Sequence, residues 1–230
     1  AMGQAFFSLS LGLGCVLTYA SYFSQSTSLV KTATMTVVLD TLVAVLSGVM
    51  IFPALFSFGA EPTAGPKLVF EVLPNIFQQL PGAYFWAVAF FVLLFFACIT
   101  SSISMAEIPT AFFTESFKIG RTKALAFTTI IGVAFGILCS LSFNVLADFK
   151  VFGKGFFDLF DFVTSSIFMP VGGLMFTILV GWLIDKRILE QELTNNGTLK
   201  VGSFKVLRFC IRYVAPAAIL LIFFYSWGLI

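Results

Sequence analysis

Long stretches of this chain run with little or no charge, and each is thicker than a bilayer when coiled into a helix: Ala1–Val30, Thr34–Ala60, Leu80–Ala106, Ala124–Ala147, Phe162–Ile184 and Tyr213–Ile230, the last extending back to about Val206. A helix needs about 20 apolar residues to cross the hydrocarbon layer, whereas a barrel strand needs about half that and alternates polar positions. These runs do not alternate, so the fold class is an all-α polytopic membrane protein. The spans are placed at about 1–23, 34–58, 83–114, 123–147, 156–184 and 204–229, with an external loop at about 60–82. Composition agrees: 59% of the residues are hydrophobic and 31 are Phe, beyond the usage of a soluble domain.

Several chemistries lack their parts. The chain has no His, and Cys15, Cys98, Cys139 and Cys210 stand alone in apolar runs without metal-type spacing, so zinc, redox and Ser-His chemistry are not expected. A net charge of +2 from dispersed basic residues points to no nucleic acid. The chain opens without Met, signal peptide or charged flank, which suggests a piece of a longer protein.

If the spans alternate, Lys31, Lys118, Arg121, Lys123, Lys186, Arg187, Lys200, Lys205, Arg208 and Arg212 fall on one side, and Lys67, Lys150 and Lys154 on the other. The positive-inside rule makes the first side cytoplasmic and leaves the C-terminus outside. The loop from Glu61 to Gly82 is then external. Its apolar Leu68–Leu73 and Asn75–Leu80 suit two short helices that fold back as a cap. Asn196-Gly197-Thr198 matches a glycosylation sequon, by chance if that segment is cytoplasmic.

The first span contains Phe6-Phe7-Ser8-Leu9-Ser10-Leu11-Gly12-Leu13-Gly14, with hydroxyls and glycines that suit a helix interior poorly. Membrane backbone leaves the helical ladder only where protein or a water-filled cavity satisfies its amides, so a break here would mark a binding site. An intact helix packing its small face on a neighbour is the alternative. Asp40 lies about a turn and a half into the second span, where a carboxylate costs roughly 2.5–3.5 kcal/mol. It reads as an ion ligand or proton carrier, or as a carboxylate hydrated near the headgroups. Thr100, Ser101, Ser102 and Ser104 crowd the third span. They suit a hard cation that takes oxygen donors, or they bond back to the preceding turn. Asp158, Asp161, Glu107 and Glu115 lie at span edges, where solvation accounts for them, and Pro170, Gly172 and Gly173 are expected to bend the fifth span.

Gln4–Gly14 followed by Thr18-Tyr19-Ala20-Ser21-Tyr22 resembles the sixth transmembrane segment of the neurotransmitter:sodium symporters, and Phe95–Ile103 resembles their eighth. The order of spans, the capping loop and Asp161 extend the resemblance over the whole chain, from a sixth helix to an eleventh. The resemblance implies the C-terminal half of a LeuT-type inverted-repeat bundle with a broken first helix. It is most similar to the bacterial branch that carries many hydrophobic amino acids.

The resemblance also implies roles. Ser8 with Asp40 would hold one sodium ion, and Ala97, Thr100 and Ser101 a second. Phe7, Ser8, Leu9, Ser10, Leu13, Ser101 and Met105 would line the substrate pocket, with Phe7 as its lid. Asp161 would serve an outer gate, Tyr22 and Glu115 an inner one, and Gly12 and Gly14 would form the hinge. Leu13 stands where Phe is common, which enlarges an apolar pocket, and Ala44 stands where chloride-dependent members have Ser, so chloride is not expected. The implied partners are a hydrophobic aliphatic or aromatic L-amino acid, sodium ions, the plasma membrane of a bacterium, and five preceding helices of the same protein. Function would be sodium-coupled symport by alternating access, without catalysis. Proton coupling through Asp40 is the alternative, with an intramembrane enzyme or channel more remote.

Overall fold

The computed structural model describes residues 2–24, 26–57, 59, 68–197 and 204–227. Lys67 and Lys200 of the charge pattern, Thr198 of the sequon, and Glu61, Pro62, Gly65 and Pro66 of the external loop lie outside them. The described residues form helices α1 (Met2–Ser8), α2 (Cys15–Ser21), α3 (Leu29–Ser57), α4 (Leu68–Gln78), α5 (Ala83–Phe117), α6 (Arg121–Leu141), α7 (Phe156–Leu183), α8 (Lys186–Thr194) and α9 (Phe204–Ser226). Helices α3, α5, α6, α7 and α9 are long and apolar enough to cross a membrane. In their most apolar stretches the share of residues buried within the chain is 0% for α3 and α5 and 17% at most, for α7. Nearly all of that apolar surface is therefore presented outward, as lipid or further helices require.

Local chemistry accounts for where the helices start and stop. The N–H of Lys31 donates to the Ser28 hydroxyl, and α3 begins at Leu29, five residues before the expected position 34. Lys118 takes a left-handed conformation and closes α5 at Phe117, three residues past the expected 114. Helix α6 ends at Leu141 rather than 147. Ser142 turns its hydroxyl back to the Cys139 carbonyl and accepts the N–H of Phe157, so turn chemistry captures 142–148 and ties it to the start of α7.

Helices α4, α7 and α9 contain π-type turns: Leu68–Val72, Thr164–Phe168, Leu179–Leu183 and Cys210–Val214. Pro74, Pro170 and Pro216 each follow one of these turns by two residues. A proline ring collides with the carbonyl four residues back and offers it no N–H, and the wider turn makes room for that ring. The expected bend at Pro170 thus starts upstream, at Thr164–Phe168, while Gly172 and Gly173 lie in regular helix from Met169 to Ile178. The two expected short helices of the external loop are a single α4, because Pro74 falls in the first turn after a π-turn, where its missing N–H is harmless.

The chain divides into two compact bodies, Ala1–Thr34 with Met105–Ile230, and Met35–Ser104. In the second, Leu73 and Ile76 of α4 bury themselves with Leu55, backed by Ile51, Phe77 and Phe90. Leu55 is 1% exposed, so this part of the loop is packed onto its own body. In the first body, α7 and α9 lie along one another and α1 touches both. The rings of Phe135 and Phe160 (5.3 Å) join α6 to α7, and those of Phe143 and Phe157 (5.0 Å) join the turn after α6 to it.

Candidate functional site: a broken helix seated on glycines

The helix breaks over Leu9–Gly14. Ser10, Gly12 and Gly14 take positive φ of 50°, 89° and 83°, and Gly14 starts α2 from the left-handed region. The N–H of Leu11 reaches back to the Phe6 carbonyl and that of Ser10 to Phe7. Among the described residues, no backbone-to-backbone bond uses the carbonyls of Leu9, Leu11, Gly12 and Leu13 or the N–H groups of Gly12 and Gly14. The break therefore releases both donors and acceptors next to the positive end of α2 and the negative end of α1.

What fixes the break is backbone against backbone. A Cβ on Gly12 would overlap the Met169 carbonyl and the Gly173 nitrogen, and one on Gly172 would overlap the Gly12 carbonyl. A Cβ on Gly173 would come within 2.9 Å of the Phe6 ring. Gly172 and Gly173, expected to bend their helix, instead form a seat for the unwound segment. Single-residue rules could not show this, because the partner lies some 160 residues away in sequence.

Around the break, Leu9, Ser10 and Leu13 are half-buried, Phe7 and Ser8 are exposed, and Ser8 is engaged in the structure. Met105 is exposed on α5. Its carbonyl lies four residues before Pro109, which offers it no N–H. Asp161 accepts a 3.0 Å hydrogen bond from the Ser165 hydroxyl. Glu115 is exposed near the end of α5.

The second body carries the other oxygens. Asp40 is half-buried on α3 and is engaged in the structure. On α5 the Thr100 hydroxyl donates to the carbonyls of Ala97 (2.9 Å) and Phe96 (3.1 Å), Ser102 to Cys98 (2.7 Å) and Ser104 to Thr100 (3.1 Å). These hydroxyls bond back to the preceding turn. That arrangement also sets the Ala97 carbonyl and Thr100 Oγ1 side by side, with Ser101 next in sequence. The donors are oxygens, as a hard monovalent cation prefers, and among the described residues no cluster of His, Cys, Asp and Glu would attract a softer metal.

At the far end of α2, sequence reasoning missed a residue. The Tyr22 hydroxyl donates to Glu107 Oε1 at 2.7 Å, and Arg121 Nη2 holds Glu107 Oε2 at 2.8 Å. In place of the solvated edge carboxylate expected from the sequence, Glu107 has a side chain that is 15% exposed and bonded on both oxygens. Its position some ten residues before the end of α5, further inside the helix than Glu115, with Arg121 opening the next one, was the available signal. Glu115 lies eight residues further along α5.

Fold and site thus define a class: a multi-pass helical membrane protein whose polar centre is the unwound segment between α1 and α2. The chain belongs to the Sodium:neurotransmitter symporter family, whose model matches residues 1–228. It is similar to the uncharacterized sodium-dependent transporter YhdH of Bacillus subtilis, at 36% identity over all of this chain and 51% of the relative. It is also similar to an uncharacterized sodium-dependent transporter of Haemophilus influenzae, at 38% over 96% of this chain and 48% of the relative. Among solved structures it is similar to MhsT in complex with L-phenylalanine, with a TM-score of 0.88 and 38% identity over 98% of this chain and 51% of that one. The chain spans about half the length of these relatives. These likenesses carry the LeuT fold expected from the sequence.

Proposed function

We propose that this chain supplies the later half of the helices of a sodium-coupled symporter for amino acids with apolar side chains. The observation that carries the reading is the break at Leu9–Gly14. A zwitterion entering the bilayer loses hydration at a carboxylate and an ammonium, and the released N–H and C=O groups offer a partner to each. Half-buried Leu9 and Leu13 would face the apolar side chain, and Phe7 would cover it. Ser8 with Asp40, and Ala97 with Thr100 and Ser101, are the candidate ligands for two sodium ions. A sodium ion beside the substrate carboxylate strengthens the binding of each by the other, and that mutual linkage couples an ion gradient to uptake. Ala44 offers no hydroxyl, and the charge of Asp40 stands where chloride would otherwise be needed.

The relative bound to L-phenylalanine supports an aromatic or aliphatic substrate. Tyr22, Glu107 and Arg121 suit an inner latch, tying α2 and α5 to the start of α6; Asp161 is proposed for the outer gate. A bacterial plasma membrane is the setting that the bacterial relatives support, and the charge pattern of the loops supports a C-terminus outside it.

Proteoliposome uptake by the whole protein tests this reading. Wild type should take up L-phenylalanine only with sodium and without chloride, and Ser8→Ala and Asp40→Asn should raise the sodium concentration needed by tenfold or more. Saturable uptake without sodium, driven by a pH gradient, would replace sodium coupling with proton coupling through Asp40. Unchanged sodium dependence in both variants would sink the ligand assignment.

A further inference from the structure

Away from the break, the start of α8 and the first turns of α9 line a cavity of about 230 Å³ with Lys186, Lys205, Arg208 and Arg212, and with Phe209 and Tyr213 beside them. Pockets for drug-sized ligands run about 300–1,000 Å³, so this one is scaled to a single headgroup. Lys205, Arg208 and Arg212 follow one another at three and four residues and share one face of α9. The close approach of the two helices at Gly181, where a Cβ would lie 3.2 Å from the Arg212 Cα, brings that face against the end of α7.

Among the described residues no carboxylate pairs with any of the four cations, and the nearest in sequence, Asp185, accepts the N–H of Arg187 as the cap of α8. Arg208 and Arg212 are half-buried, and the Nε of Arg212 is shielded from solvent with no acceptor among the described residues. Its guanidinium lies 5.3 Å from the Trp182 ring and 5.6 Å from that of Tyr213, stacking that orients the fork without consuming its N–H groups. A buried donor on a fixed cation calls for an anionic oxygen, and the planar fork matches phosphate.

Location narrows the source. The cavity lies where α7 ends at Leu183 and α9 begins at Phe204, with Trp and Tyr at the same level, as in the aromatic belt at a membrane interface. The loop charges assign this end to the cytoplasmic leaflet, where anionic lipids concentrate. We propose that this pocket binds the phosphate of an anionic phospholipid, with Arg208 and Arg212 as the fork at its floor, Lys186 and Lys205 at its mouth, and the acyl chains lying along Phe209 and Tyr213.

The test is phospholipid retention by the whole protein in detergent, read by native mass spectrometry and by titration of fluorescent phosphatidylglycerol against phosphatidylcholine. Each basic residue near anionic lipid contributes roughly fivefold, so Arg208→Gln with Arg212→Gln should lower phosphatidylglycerol affinity roughly 30-fold. The exposed pair Lys186→Gln with Lys205→Gln keeps the question answerable if the arginine variant misfolds, and should also lower it. Lys31→Gln with Lys123→Gln, which removes the same charge elsewhere, should not. Displacement of the lipid by millimolar inorganic phosphate would keep the phosphate site but assign it to a soluble anion. Equal retention by all variants, or no preference for phosphatidylglycerol together with no effect of phosphate, overturns the proposal.

Discussion

Replacing Gly12 with Ala combines two costs that separate cleanly at Gly14. Both glycines hold positive φ, 89° and 83°, and a Cβ there costs about 1–2 kcal/mol in backbone strain. At Gly12 the added carbon also overlaps the Met169 carbonyl and the Gly173 nitrogen, which are backbone atoms of a helix and cannot swing aside. Overpacking of this kind adds roughly 1–3 kcal/mol. At Gly14 the nearest atom is the Ile108 Cγ2 at 3.9 Å, an ordinary contact. Gly12→Ala should therefore cost roughly 2–5 kcal/mol and Gly14→Ala about 1–2 kcal/mol. The assay is reversible SDS unfolding of the whole protein in mixed micelles, with sodium-dependent L-phenylalanine binding measured in parallel. Gly12→Ala should lose binding even where it stays folded, because relieving the overlap moves the released amides. Equal costs at the two positions, or the larger cost at Gly14, would refute the backbone seat.

Gly173→Ala should impair binding through its 2.9 Å approach to the Phe6 ring, and Phe6→Leu in the same protein should restore it; failure of that rescue means the ring is not the obstacle. Tyr22→Phe and Glu107→Gln should each increase cysteine labelling from the cytoplasmic side, and the double variant should do no more than the stronger single one; additive effects would show that the two do not act as a unit. Leu55→Ala empties a site that is 1% exposed and should cost about 2–5 kcal/mol in the same unfolding assay, while a cost under about 0.5 kcal/mol would mean that α4 does not pack there.

The parts of this fold that were legible in the sequence rest on short-range physics. Apolar length marked the spans, and the serines and glycines of Ser8–Gly14 marked the break because they suit a helix interior poorly and glycine accepts a backbone that other residues avoid. The apolar residues between Leu68 and Leu80 signalled a segment that would not stay in water, and Leu73 and Ile76 are indeed buried. Features that depend on a distant partner stayed hidden. Glu107 looked like any edge carboxylate until Tyr22 and Arg121 were brought to it, and Gly172 and Gly173 looked like bending residues until Gly12 was placed on them. The basic face of α9 was visible as three charges that orient the chain, but its convergence with Lys186 required the packing of α7.

The π-turns give α7 a mechanical character that its length alone conceals. A regular helix of 28 residues behaves as one stiff rod, so a push at either end moves the other. Helix α7 has a widened turn near each end, at Thr164–Phe168 and Leu179–Leu183, with the glycine seat in the regular stretch between them. Wide turns have poorer hydrogen-bond geometry and yield first under bending. Tilting of the first two turns of α7 is therefore absorbed at Thr164–Phe168, a pull from the chain beyond Leu183 is taken up in the last, widened turn, and the stretch that cradles the broken helix keeps its alignment.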